Sequence, residues 1–470
     1  MSDRPTAALA GFKERLAEEY EREFPRSAAH HRAHAGHLLD GCSHAVRWND
    51  PFMPVTTRAT GARVEDLDGH QLVDYWQGHF ANLLGHNPAL IRDALARALD
   101  EGRGLQSGML HEVEARVAEL VVKCTGAETV RVTTSGSLGT FYASLLCRGF
   151  TGRDRVLKVK GGWHGSQPFG LKGVSAHGEA YDRIESEGLS SSTPGEILLT
   201  RYNDIEELRR VFHEQGDRIA CMLVEPVLGQ GGGIAATPEY MREIRRLTSH
   251  HGALMVCDEI ITGFRFRAGD LTQLYGVEPD LLVLGKVLGG GMPVAAVAGK
   301  RELLALCSRE QHRVKFEGGT YSAHELALLA SATLLEHLIA EEQRVYPALA
   351  RAGAELRDRI RGLAGAAGLA LSLLGSAEPA GTSSSLLMLH VLNEPGADPS
   401  SPEAMAKRAH PFLDDDLLKS VLMLHGVSVR TGLGALSTAH GAEDLTRTLD
   451  GFAAAFERLQ RAGLIGAVAP

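Results

Sequence analysis

The chain has 470 residues, 44% hydrophobic and 23% charged, which places it among ordinary soluble globular proteins long enough for two or three subdomains and a large core. Its net charge of -9, with no basic run longer than Arg209-Arg210 or Arg245-Arg246, argues against nucleic acid as a partner. Six cysteines without CxxC spacing suit a reducing cytoplasm, and a charged N-terminus with no apolar run near about 18 residues gives no expectation of secretion or membrane insertion.

In chain order, residues 6–24 carry Leu, Phe and Ala among Glu, Arg and Lys at helical spacing, which predicts an amphipathic helix. The His30–His37 run lacks acidic or cysteine partners at ligand spacing, so no metal site is expected. Arg63–Tyr75 alternates around Asp68-Gly69 and predicts a β-hairpin, and Pro88–Leu99 predicts a helix. From Val130 onward short β runs alternate with helical stretches: VRVTT at Val130, RVLKV at Arg155, EILLT at Glu196, IACMLV at Ile219, ALMVC at Ala253–Cys257, LLVLG at Leu281 and VAAVA at Val294. Seven such runs with intervening helices imply an α/β fold with a mostly parallel sheet covered on both faces. After Ala323 the pattern is helical to about Leu363 and then α+β, with strands in SSSLLMLHVL at Ser383 and VSVRTG at Val427. Between those two, the Pro-, Ser- and Gly-rich Asn393–Ala406 is expected as a surface loop.

Two of the apolar runs end on chemistry. Leu254–Cys257 delivers Asp258 and Glu259, and Leu281–Leu284 delivers Lys286 followed by Gly289–Gly291. Ligands of open α/β sheets collect beyond the carboxyl ends of strands, so this carboxylate and this amine face one crevice. A buried amine is costly unless its pKa falls or it is used covalently, and a Schiff base with an aldehyde cofactor resolves the cost. Pyridoxal phosphate (PLP) would then need a carboxylate at its ring nitrogen, a role open to Asp258. A structural ion pair or a lysine reaching solvent is the competing reading of the same residues. Ser135-Gly136-Ser137 lies between a strand and a helix, where backbone N–H groups bind phosphate; an ordinary N-cap is the alternative. LGQGGG at Leu228 lacks the spacing of a dinucleotide fingerprint.

VCDEIITGFR followed by PDLLVLGKVLGGGMPVAAVAG resembles the class III PLP-dependent aminotransferases, specifically the branch containing glutamate-1-semialdehyde 2,1-aminomutase. Collinear matches are LGHNP at Leu84, TTSGS at Thr133, GGWHG at Gly161, YND at Tyr202, VEPV at Val224 and GGTYSAH at Gly318. The resemblance implies a fold-type I transferase with three parts: residues 1–95, an N-terminal helix and hairpin belonging to the small domain; 96–335, the large PLP-binding domain; and 336–470, a small α+β domain. It implies that Lys286 carries PLP as an internal aldimine, that Asp258 meets the ring nitrogen and that Ser135, Gly136 and Ser137 bind the phosphate. Trp163 would stack on the ring with Ile260 on the opposite face, His164 would join the cofactor site, and Asn203 and Glu225 would lie near the ring's phenolic oxygen or its supporting network. Gly319 and Thr320 would reach a partner subunit's phosphate, making a homodimer with composite active sites. Relatives carry a glutamate where this chain has Leu138, which leaves the phosphate contacts in place and removes an acidic contact.

For the substrate, Arg47 matches the arginine that binds a carboxylate in the aminomutase branch, and Arg430 is a second candidate. His79 stands where aminomutases place a tryptophan, Gly432 where they carry a gate glutamate, and Arg430 replaces a small residue. Changed lids favour an aminotransferase, whose keto product must leave before the second substrate enters. The expected reaction therefore moves an amino group between a carboxylated α-, β- or ω-amino acid and a keto or aldehyde acceptor. An intramolecular aminomutase is the alternative, ahead of a racemase, a decarboxylase or a non-catalytic binding module.

Overall fold

The structure is a computed structural model that describes residues 4–175, 181–377, 380–410, 413, 415–429 and 434–466. Arg430 and Gly432 lie outside the described residues.

The expected amphipathic helix runs over Arg4–Glu23. Three short strands follow, β1 (Thr56–Thr60), β2 (Arg63–Asp66) and β3 (Gln71–Asp74), with β2 and β3 forming the hairpin expected around Asp68-Gly69. The expected helix after Pro88 is Ala89–Asp100. All seven expected strands of the large sheet form: β4 (Thr129–Thr133), β5 (Arg155–Val159), β6 (Ile197–Thr200), β7 (Ile219–Val224), β8 (Leu254–Glu259), β9 (Leu281–Leu284) and β10 (Ala295–Gly299). They are ordered β4-β10-β9-β8-β7-β5-β6. Pairing is parallel from β9 through β6, whereas β10 is antiparallel to both β9 and β4. Only a 3₁₀ turn, Lys286–Gly289, and a short loop separate β9 from β10. That span is too short for the crossover a parallel return needs, so the chain must come back antiparallel.

Side chains on successive strand residues point to opposite faces, and the core divides accordingly. Leu254, Val256, Leu281, Val283 and Val297 pack with Ala143, Leu146 and Cys147 of helix Gly136–Thr151 on one face. Met255, Cys257, Leu282, Leu284, Ala296 and Ala298 join the larger core on the other face, with Leu208, Tyr240, Met241 and Leu328 from the helices there. Burial on both faces is why these strands read as continuous apolar runs.

The C-terminal part adds helices Glu325–Ala340 and Glu342–Ala366, an antiparallel pair of β11 (Ala370–Leu374) and β12 (Met388–Leu392), and the short β13 (Val427–Ser428). β13 pairs parallel with β3, Val427 opposite Val73 and Ser428 opposite Asp74, so the last strand of the chain completes the sheet begun by the first three. One sequence expectation is corrected. The end of the segment read as a loop, Asn393–Ala406, belongs to helix Pro402–Arg408, started by a Ser401 hydroxyl that accepts the Ala404 N–H at 3.2 Å and by a proline in the first turn. Among the described residues no helix is long and apolar enough to cross a membrane.

Candidate active site

β8 and β9 are parallel neighbours, with Asp258 opposite Val283 and Glu259 opposite Leu284. Asp258 therefore leaves the sheet beside the point where Gly285 and Lys286 leave it. Asp258 shares the face of Leu254 and Val256, the side covered by helix Gly136–Thr151. Lys286 has φ of 47°, a left-handed conformation that costs a residue with a Cβ on the order of 1–2 kcal/mol. The turn holds it there regardless, which is the pattern of strain kept at a working position. Both side chains line a cavity of about 410 Å³, together with Ser135, Gly136, Ser137, Trp163, Glu225, Ile260 and the rim residues Gly78 and Met292.

One end of the cavity is the N-terminus of helix Gly136–Thr151. Ser135 is its N-cap, its hydroxyl accepting the Leu138 N–H at 3.3 Å, so the Ser135 side chain is committed to the helix while the first N–H groups open toward the cavity. Two glycines keep that end clear. A Cβ on Gly136 would sit 2.3 Å from Ile260 Cδ1, and one on Gly165, whose φ is 84°, would sit 2.6 Å from the Ser137 Cα.

The other end is a buried acid cluster. Asp258 Oδ1 accepts the Ile260 N–H at 3.1 Å, and Oδ2 lies 2.8 Å from His164 Nδ1. Burial depresses the His164 pKa, so the neutral ring donates Nδ1–H to the carboxylate and fixes its orientation. Glu225 accepts the Trp163 N–H at 2.9 Å and the Gly229 N–H at 2.9 Å. Its pKa is raised, first by burial and then by the Asp258 charge, with Lys286 opposing. Trp163 keeps 36% of its surface exposed, so an indole face is available to a planar ligand in the cavity.

Not every expected site residue converges here. His164 is fully buried behind Asp258 and does not line the cavity; it acts on a ligand only through the carboxylate. Asn203 is spent on the backbone, accepting the Thr237 N–H at 2.9 Å and donating to Ala235 O at 3.1 Å and Ser400 O at 3.2 Å, and it ties loops together outside the cavity. Gly319 and Thr320 are exposed and do not reach this chain's own cavity. Arg47 Nε lies 3.4 Å from His79 Nε2, and the residue before His79, Gly78, forms the rim.

Several supports are absent from the motif reading. Gln77, Gly78, His79 and Phe80 all have φ between 46° and 68°, a left-handed turn that presents the rim. Asp74 at the end of β3 holds its start, accepting Trp76 N–H at 3.1 Å, Gln77 N–H at 2.9 Å and the Ser428 hydroxyl at 3.0 Å, and lying 2.8 Å from His86 Nε2. The end of the turn is held by buried Arg265, which donates to Phe80 O, to Ile261 O at 2.9 Å and to Ser385 Oγ at 3.2 Å. An isolated Gly in QGHF is the only signal of that turn in the sequence.

The strand-end amine, the oriented carboxylate, the aromatic face and the helix N-terminus together match an aldehyde cofactor carrying a phosphate on a protonatable aromatic ring. Residues 44–367 match the sequence profile of the family described as Aminotransferase class-III. The chain belongs to that family. Its cofactor is pyridoxal phosphate, and the cavity fits it in size, in the glycine-cleared phosphate end and in the acid opposite. Over 318 residues the chain is 35% identical to a glutamate-1-semialdehyde 2,1-aminomutase from Pelotomaculum thermopropionicum, covering 67% of this chain and 71% of that one. Among solved structures, a β-phenylalanine aminotransferase from Variovorax paradoxus superposes with a TM-score of 0.83 at 26% identity, covering 97% of this chain and 98% of that one. A transaminase with PLP bound superposes with a TM-score of 0.80 at 25% identity over 94% of this chain and 99% of that one. The fold of the class III family chain is thus the fold-type I transferase fold with its seven-stranded, mostly parallel sheet.

Proposed function

We propose that this class III enzyme is an aminotransferase that moves an amino group from a carboxylated amino acid, α, β or ω, to a keto or aldehyde acceptor. The observation that carries the reading is the Arg47–His79 pair beside the rim of the Lys286 cavity. A guanidinium there offers a bidentate carboxylate site, and the imidazole neighbour replaces the bulky tryptophan of aminomutases. Bound PLP supplies an electrophilic carbonyl carbon and an electron-withdrawing ring. Lys286 Nζ is the group that would hold it, and once displaced its amine would take a proton from the donor carbon and return it. Asp258 would keep a proton on the ring nitrogen, the backbone N–H groups of Ser135–Ser137 would take the phosphate, and Trp163 and Ile260 would flank the ring.

The aminomutase reading has its own support in the 35%-identical relative of that name. The two separate on one measurement: an aminotransferase needs an external amino acceptor for each turnover, whereas an aminomutase does not. A stoichiometric requirement for added keto acid or aldehyde is expected, and turnover of a single amino substrate without one overturns the proposal. A simple amine should be a poorer donor than the amino acid it derives from. Arg47→Ala should lower kcat/KM for the carboxylated donor by about 2 kcal/mol, roughly 30-fold, and leave the amine nearly unaffected. Equal losses for both donors would return Arg47 to a structural role.

The functional unit in this reading is a homodimer with composite sites. Support comes from Gly319 and Thr320, which are exposed on the single chain, with open space where a Gly319 Cβ would be. Mixed Lys286→Ala and Thr320→Ala chains should regain activity, because each mixed dimer holds one site with neither lesion; random pairing restores about one site in four. No recovery despite proven subunit exchange counts against a shared site. The same reading divides the chain into 1–95 with 336–470 as the small domain and 96–335 as the large one, supported by the β3–β13 pairing.

A further inference from the structure

Lys158 is the penultimate residue of β5, between the buried Leu157 and Val159, and its side chain is fully buried. Its Nζ donates to three backbone carbonyls, Gly162 O at 2.8 Å, Gly170 O at 2.9 Å and Lys172 O at 2.9 Å. An ammonium has three N–H donors, so this one is saturated without a carboxylate in contact. All three acceptors belong to the strap that leaves β5, passes through Trp163, His164 and Gly165, and returns beneath the strand at residues 170–172. A strap with no regular ladder of its own must find partners for its buried carbonyls elsewhere, and here one cation supplies them at both ends. Burial pulls the amine down to about 7, and the charges of Glu225, Glu185 and Asp258 oppose that shift. Lys158 therefore sits in the same electrostatic cluster as the cavity acids, and its charge in turn disfavours protonation of His164.

We infer that Lys158 is a positioning residue for the cofactor: by clamping the strap at residues 162 and 170–172 it sets where Trp163 meets the ring and where His164 meets Asp258. The inference rests on the cofactor roles proposed above for Trp163 and Asp258. The strap has little other latitude. Gly170 packs so closely that a Cβ there would lie 2.4 Å from Gly165 O, and Trp163 is held from the far side by Glu225. Removing the clamp frees three carbonyls next to the cavity while leaving every side chain that touches the cofactor unchanged.

The test compares Lys158→Met with Lys172→Met, a neighbouring lysine on the same strap whose Nζ donates instead to Pro194 O and Ile197 O, away from the cavity. Both variants, purified as holoenzyme, should melt lower than the parent. Only Lys158→Met should lose at least tenfold in the single-turnover rate per bound cofactor, with the KM for the amino donor changed by less than about twofold. On the apo-protein, in a Trp48→Phe, Trp76→Phe background, added PLP should quench the remaining Trp163 emission less in Lys158→Met than in the parent. Loss of PLP affinity in folded Lys158→Met but not in Lys172→Met supports the clamp equally. Should Lys158→Met not fold, Gly170→Ala keeps the lysine, displaces the strap and carries the same readouts. Rates per bound cofactor and Trp163 quenching within twofold of the parent overturn the inference. Borohydride trapping of PLP on residue 286 in the same variants keeps this outcome separate from a failure of the Lys286 assignment.

Discussion

Lys286→Ala is expected to abolish covalent attachment of PLP and to reduce turnover by at least the roughly 10²- to 10⁴-fold that a positioned proton-transfer group contributes. The physical case is local. Lys286 is the first residue after the β9 end and Gly285, it is held at φ of 47° by the turn that follows, and it shares a cavity with Asp258 and Glu225. Alanine keeps a Cβ and so keeps the backbone's demand at that position, while deleting the only lysine that lines the cavity among the described residues. The fold should therefore survive, because the sheet core around Leu281–Leu284 is untouched. Borohydride reduction of the parent, followed by mass spectrometry, should find the cofactor on the peptide containing residue 286, and the variant should carry none. A folded variant that still attaches PLP covalently and turns over would assign the nucleophile to another residue.

The large sheet was legible because its strands are buried on both faces, and continuous apolar runs such as IACMLV and ALMVC have no other use at that length. Asp258 and Lys286 were legible for the same reason inverted, as charges at the ends of runs that should contain none. The direction of β10 was not legible, since it depends on the length of a connection whose turn begins at Lys286 itself. Lys158 was not legible because one lysine in a short β run carries no sign of what it meets, and only the strap supplies the three carbonyls that accept from the buried amine. His164 and Asn203 show the limit of motif transfer. Each sits in a matching motif, yet one stands a step behind the carboxylate and the other holds loop backbone, a distinction set by tertiary neighbours rather than by spacing. The left-handed turn at Gln77–Phe80 is fixed by Asp74 and Arg265 from opposite ends, partners 3 residues away in one case and 185 in the other.

Asp258→Asn removes one charge and preserves shape, and it should cost about 10²- to 10³-fold in turnover, the scale of losing one preorganised stabilising group. The substitution keeps the shape of the side chain but not both of its accepted hydrogen bonds. One carboxylate oxygen accepts the Ile260 N–H and the other receives the His164 Nδ1–H, so an amide must either turn its NH₂ toward a donor or lose a contact. With the oxygen left facing His164 or the Ile260 N–H, the side chain keeps its place and PLP should still bind. On the role proposed for Asp258, the negative charge that would keep a proton on the ring nitrogen is lost, and with it the ring's capacity to withdraw electrons. The neutral His164 cannot supply that charge, because burial holds its pKa down and no acid other than Asp258 contacts it among the described residues. Glu225 stands in the same cavity with its pKa raised by burial, so it is poorly placed to act as a replacement anion. The measurement is the single-turnover rate with a carboxylated donor beside the PLP dissociation constant. A large fall in rate with cofactor affinity within about tenfold is the expected pair, and near-parental turnover in a folded, PLP-loaded Asp258→Asn would mean that another group protonates the ring.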